Sequence, residues 1–128
     1  MGEAVKGCGV DIIEIERIRR ACMRFPFVDK IFTEREQLTL KAKGISSWAA
    51  RFAGKEAVMK SLGCGWQRGI SFHHIEIVPD QWGKPTVELS SRAREIALEQ
   101  GICRVLISLS HNRETAIAYT VAVGEESE

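Results

Sequence analysis

The sequence lacks any apolar run long enough to cross a bilayer, and it has no surplus of charge. Eighteen Lys and Arg face seventeen Asp and Glu, for a formal net charge of +1. A chain so balanced carries no bulk field for nucleic acid or an anionic membrane, so charge-driven recognition must come from a local patch. Cys-x-x-Cys pairs are also missing: Cys8, Cys22, Cys64 and Cys103 lie far apart. That spacing argues against zinc and, with no leader-like N-terminus, points to reduced thiols in a cytoplasmic protein. Repeats and low-complexity tracts do not occur. What is present is an ordinary soluble composition, 45% apolar and 27% charged, in a chain of one-domain size. Residues 1–124 read as that domain and 125–128 as a frayed acidic tail.

Hydrophobic period and turn residues outline the elements. Val5–Val10 reads as a strand, and from Ile12 a helical period sets Ile15, Ile18, Cys22 and Phe25 on one stripe, stopped by Pro26. Thr33 and Glu36 form a capping box for a second helix that runs to about Lys43, with Gly44 closing it. Ser46 or Ser47 caps a third, which ends at Gly63. Ser71–Val78 alternates as a strand, Asp80–Gly83 turns, and Pro85–Leu89 returns as the hairpin partner. Ser90 or Ser91 caps a helix with Ala93, Ile96 and Ala97 inward and Gly101 as its stop. Cys103–Leu109 and Thr115–Val123 are the last strands, joined by the polar loop Ser110–Glu114. Hairpin-joined strands mixed with helices predict an α+β fold with a mainly antiparallel sheet.

The chemistry-bearing residues admit plain and functional readings. Glu56 and Lys60 are four apart on the third helix and share a face; an isolated pair of this kind is worth about 0.3–0.5 kcal/mol. Asp11, after the first strand, is an N-cap or a metal ligand. Asp11 and Glu56 together make the two-carboxylate set that suits Mg²⁺, which fills its remaining positions with water and phosphate oxygens. Lys60 is a solvated lysine or a group that stabilises or protonates a departing phosphate. Gly63 and Gly65 flank Cys64 in a turn that is a helix cap or a phosphate cradle. His111, at a strand end, contacts phosphate or ribose, or bonds within its hairpin. His73 and His74, neighbours in the expected strand, point to opposite faces and read as structural. Arg17, Arg20 and Arg24 line one helix face, either solvated or as a docking strip for an acidic helix.

The segments Gly9–Ile18, Arg51–Lys60, Gly83–Pro85 and Ser108–His111 stand in the order and spacing of a known family. The chain resembles the holo-acyl-carrier-protein synthases, the small type of 4′-phosphopantetheinyl transferase, from about Gly7 to Val123. The resemblance implies an antiparallel sheet wrapped around a long helix. It also implies transfer of the phosphopantetheine arm of coenzyme A to a serine of apo acyl carrier protein. In that reading Asp11, Glu56 and Lys60 are catalytic, with Asp11 and Glu56 holding Mg²⁺. Arg51, Gly63, Gly65, Lys84, Pro85 and His111 line the coenzyme A site, and Arg17, Arg20 and Arg24 receive the carrier. A homotrimer with sites between subunits is implied too. Ile13 stands where two-domain relatives carry a further carboxylate, which leaves water as the third metal partner. A non-catalytic coenzyme A or carrier module, and a metal-dependent phosphohydrolase, are the competing classes.

Overall fold

A computed structural model describes residues 2–63 and 68–126. Strands β1 (Glu3–Glu14), β4 (Ile102–His111) and β5 (Thr115–Glu125) form an antiparallel sheet in the order β1-β5-β4. Strands β2 (Ile75–Pro79) and β3 (Pro85–Leu89) form a separate antiparallel hairpin, with β3 beside β4 and so at the edge away from β1. The helices are α1 (Ile15–Cys22), α2 (Phe27–Ile31), α3 (Glu34–Leu40), α4 (Ile45–Ser61) and α5 (Ser91–Glu99).

Helix α4 packs closely on these strands because the residues beneath it are small. Ala116, Ala118, Thr120 and Ala122 alternate along β5 and are fully buried, as the two-residue period of a strand requires. Glycines bring the backbones still closer. A Cβ on Gly7 would stand 2.2 Å from the Ser61 carbonyl oxygen, and one on Gly9 2.0 Å from that of Ala57. Thr120 Oγ1 donates to the same Ala57 oxygen at 2.9 Å. On the hairpin side, a Cβ on Gly54 would meet Ile77 Cδ1 at 2.6 Å. The long helix is therefore seated by glycine and alanine, and the expected wrapped α+β architecture is what forms. Phe32, Leu40, Leu62, Ile75, Ile77 and Ile96 fill the space between α4, the hairpin and α5.

The centre of that core holds an ion pair. Lys55 Nζ lies 2.7 Å from Glu36 Oε1, and neither side chain is exposed at all. The ammonium also donates to the carbonyls of Phe72 (3.0 Å) and Ile75 (2.6 Å). Glu36 accepts the N–H groups of Thr33 (2.9 Å) and Ile77 (2.8 Å). No polar atom of the pair lacks a partner, as burial of charge demands. Burial pulls the Lys55 pKa below its ordinary value, against the opposing pull of Glu36. The capping box at Thr33 thus forms as expected, and its glutamate also ties α3 to α4 and β2.

Several boundaries differ from expectation. Strand β1 runs through Asp11 to Glu14, with Ile12 and Ile13 opposite Ile117 and Ala116, so the helix begins at Ile15 rather than Ile12. Asp11 is therefore no N-cap. Helix α1 stops at Cys22, which takes Phe25 off the apolar stripe and leaves it 91% exposed; the Phe25–Pro26 peptide is cis. Helix α3 ends at Leu40, and Gly44 caps the start of α4, a role expected of Ser46 or Ser47. Residues 72–74 form a 3-10 turn, not strand. There His73 Nε2 bonds the Asp29 carbonyl (2.7 Å) and His74 Nδ1 accepts the Ser71 N–H (3.1 Å). Strand β5 extends to Glu125, which pairs with Glu3, so the acidic tail begins inside the ladder. Among the described residues Cys8, Cys22 and Cys103 are free thiols, and no helix is long and apolar enough to cross a membrane.

Candidate functional site

Close packing at Gly7 and Gly9 carries the last turns of α4 over β1, beside Asp11. Asp11 pairs with Ala118 and projects to the inner face, as Gly9 and Ile13 do. Lys60 Nζ stands 3.2 Å from Asp11 Oδ1 and donates to the Val10 carbonyl at 2.8 Å. Asp11 is 18% exposed and Lys60 55%. The cation of the expected helix pair therefore reaches across to the strand and bonds Asp11.

Glu56, one turn back, is half-buried. Its carboxyl pKa is raised, first by burial and then by the charge of Asp11, while Lys60 and Arg17 pull it down. Two acids and two bases thus meet where β1, α1 and α4 converge. Crowding two carboxylates is unfavourable until a cation joins them. That donor set fits Mg²⁺, which takes one or two carboxylates and keeps its other positions for water and phosphate. A closed cage does not fit: among the described residues no group of three or more His, Cys, Asp and Glu could hold a metal ion. Ile13 is buried and offers no ligand.

Arg17 has two neighbourhoods. Its charge reaches Glu56, and it also lines a groove of about 480 Å³ with Arg20 and Arg24. Ile13, Ile18, Ala21, Phe27 and Phe52 complete that groove. Phe52 lies one helical turn before Glu56, and Ile13 two strand residues after Asp11, so the groove opens off the carboxylates. Arg24 sits in the turn beyond α1 yet shares the groove. Arg20 and Arg19 also approach Glu16, at 4.0 and 3.1 Å, in exposed pairs that contribute little.

The other predicted site residues are more dispersed. Arg51 is half-buried on α4 with its Nε unpartnered. Burial lowers its pKa and Glu36 opposes the shift. Gly63 follows the helix end at φ +73°, the left-handed geometry of a C-terminal glycine cap. Gly65 and Cys64 lie outside the described residues. Lys84 and Pro85 stand on the β2–β3 hairpin, and His111 ends β4, with β5 between it and β1. Within one chain these three are not gathered with Asp11, Glu56 and Lys60. Sequence reasoning missed the Lys55–Glu36 pair, whose only hint is a lysine set among the alanines of a buried helix face.

Comparison with known proteins finds relatives over nearly the whole chain. Residues 7–120 match the model of the 4′-phosphopantetheinyl transferase superfamily. The holo-[acyl-carrier-protein] synthase of Clostridium acetobutylicum is 49% identical over 120 residues, spanning 91% of this chain and 96% of that protein. The crystal structure of the Neisseria meningitidis holo-[acyl-carrier-protein] synthase superposes with a TM-score of 0.83 at 36% identity, covering 93% of this chain and 98% of that one. A Bacillus anthracis holo-(acyl-carrier-protein) synthase in complex with CoA (3′,5′-ADP) gives a TM-score of 0.78 at 34% identity, covering 94% and 98%. With the family model matched over residues 7–120 and a relative 49% identical over nearly its whole length, the chain belongs to the 4′-phosphopantetheinyl transferase superfamily.

Proposed function

We propose that this chain is a holo-acyl-carrier-protein synthase. It moves the 4′-phosphopantetheine arm of coenzyme A onto a serine hydroxyl of apo acyl carrier protein and releases 3′,5′-ADP. The observation that carries this reading is the meeting of Asp11, Glu56, Lys60 and Arg17 at the mouth of an arginine-rimmed groove. Family membership and the names of its relatives support it.

The serine oxygen forms a bond to the phosphorus nearer the pantetheine, and the bond from that phosphorus to the bridging pyrophosphate oxygen breaks. Asp11 and Glu56 would hold Mg²⁺, which when bound offsets pyrophosphate charge and polarises the phosphorus. Glu56, or a water that the metal would hold, would accept the serine proton. Lys60 is tethered by the Val10 carbonyl but half-open to solvent. It faces the charge that gathers on the departing ADP and supplies a proton there. Arg17, Arg20 and Arg24 receive an acidic carrier helix. Arg51, Gly63, Gly65, Lys84, Pro85 and His111 contribute to the coenzyme A site.

Assembly belongs to the same reading. The outer face of the three-stranded sheet leaves Val10, Ile12, Leu106, Ile117 and Tyr119 exposed, an apolar patch of the kind that marks a subunit contact. A homotrimer covers it and brings one subunit's hairpin and His111 to its neighbour's carboxylates. Free thiols fit a cytoplasmic setting. The test is the intact mass of apo acyl carrier protein after incubation with this protein, coenzyme A and Mg²⁺. One added phosphopantetheine, lost with EDTA, is expected; free phosphopantetheine formed without carrier would make the chain a hydrolase instead.

A further inference from the structure

Asp11, Glu56, Lys60 and Arg17 converge, yet one ion pair alone forms among them: Lys60 Nζ reaches Asp11 Oδ1 at 3.2 Å. That ammonium is the only side-chain partner of the Asp11 carboxylate among the described residues. The half-buried Glu56 carboxylate makes no hydrogen bond or ion pair among them. Charge acts on it from a distance, Asp11 opposing its ionisation while Lys60 and Arg17 favour it. The lysine is fixed at its root and loose at its head. A Cβ on Gly9 would stand 3.0 Å from Lys60 Cβ, so the stem rests on β1, and the Val10 carbonyl accepts from Nζ at 2.8 Å. Half of the side chain is open to solvent all the same, and an unbranched stem with three rotatable donors changes partner easily.

A divalent ion drawn to the two carboxylates must share Asp11 with this ammonium. Two cations on one mostly buried carboxylate repel each other. The ion gains both Asp11 and Glu56, whereas Lys60 holds Asp11 alone, so the ion is the stronger claimant. Phosphate oxygens that accompany the ion then offer the displaced ammonium a charge-assisted hydrogen bond in exchange. Resting on the proposed function, which supplies metal and nucleotide, we propose that Lys60 and the divalent ion compete for Asp11, and that metal binding passes the ammonium from Asp11 to a phosphate of the donor. Lys60 is thus a counter-ion built into the metal site. It weakens binding of the bare ion and favours an ion that arrives with phosphate. Metal and nucleotide become cooperative through it, each raising the affinity of the other by the same factor.

The experiment is Mn²⁺ titration of the full chain, read by paramagnetic resonance of the free ion, with and without saturating 3′,5′-ADP. Wild type, Lys60→Met and Lys60→Arg are compared, each shown to be folded by circular dichroism. Lys60→Met keeps the stem and loses the charge, and should bind Mn²⁺ alone about fivefold tighter, the equivalent of one exposed ion pair. Lys60→Arg keeps a cation beside Asp11 and should stay near wild type. With 3′,5′-ADP bound, the advantage of Lys60→Met should vanish, because phosphate already holds the wild-type lysine. Calorimetry with 3′,5′-ADP should show the same coupling from the other side, Mg²⁺ raising its affinity less in Lys60→Met than in wild type. Unchanged or weaker Mn²⁺ binding by Lys60→Met would overturn the proposal. So would a tightening equally large with and without 3′,5′-ADP, which would make the lysine a fixed charge that never changes partner. A wild-type protein that binds Mn²⁺ but not 3′,5′-ADP would overturn the hand-over to phosphate and the functional reading together. One that binds no Mn²⁺ under either condition would remove the two-carboxylate metal site, and this inference with it.

Discussion

Helix α4 carries two lysines that each meet a carboxylate from another element, and their settings could hardly differ more. Lys55 touches Glu36 at 2.7 Å with no exposed surface, and Lys60 touches Asp11 at 3.2 Å with half its side chain open. At Lys55 three acceptors surround the ammonium and water is excluded, so the pair can only hold α3, α4 and β2 in register. At Lys60 one carbonyl and one carboxylate tether the amine, and the remaining valence faces outward. The same ion-pair chemistry is a cross-link where it is fully satisfied and a reactive group where it is not.

The largest expected effect attacks the buried member. Lys55→Met leaves Glu36 buried without its cation and should cost about 3–5 kcal/mol in urea unfolding. Adding Glu36→Leu should recover part of it. Full recovery is not expected, because the N–H groups of Thr33 and Ile77 lose their acceptor. Lys60→Ala should do the opposite, lowering kcat by about 10²-fold while unfolding shifts by less than about 1 kcal/mol. A loss of stability there as large as at Lys55 would erase the contrast.

The next variant tests how the rim is assembled. Gly9→Ala forces a methyl toward the Ala57 carbonyl; overpacking of this kind costs about 1–3 kcal/mol. It should also lower transfer, because α4 must move off β1 and carry Glu56 and Lys60 away from Asp11. Normal kcat in a folded Gly9→Ala protein would show that the close approach is not what sets the site.

Much of this was legible in the sequence because spacing on one helix determines which side chains share a face. Glu56, Lys60 and the glycine after them followed from that, and so did the Thr33 capping box. Asp11 was legible as a residue but not as a strand position. Ile12 and Ile13 suit either period locally, and only pairing with Ile117 and Ala116 of β5 decides for the strand. Phe25 fits the helical stripe by count, yet the chain leaves the helix before reaching it. Lys55 could not be read at all, since its partners come from α3 and from residues 72–75, and periodicity carries no information about which distant carboxylate arrives. Dispersal of Lys84, Pro85 and His111 from the carboxylates is likewise a property of topology.

A smaller effect sharpens the account of Glu56. Its raised pKa means that the folded chain binds that proton more tightly than the unfolded chain does. Such a group favours the fold at pH values below the ordinary carboxylate pKa and loses that contribution as pH rises through the raised value. Glu56→Gln should therefore raise the Tm of the metal-free protein slightly at pH 8, with the gain vanishing near pH 4. An equal gain at both pH values would trace the effect to packing rather than charge.

The most direct test sets the two pairs side by side in one assay. The measurement is kcat for transfer to apo acyl carrier protein by Lys60→Ala and by Lys55→Met/Glu36→Leu, each at a temperature where circular dichroism shows it folded. Lys60→Ala should lose about 10²-fold and the double variant should keep a rate within about tenfold of wild type, one factor of ten being only about 1.4 kcal/mol of barrier. A double variant that folds but is as inactive as Lys60→Ala, or a Lys60→Ala protein with the wild-type rate, would contradict the division between a structural pair and a reactive one.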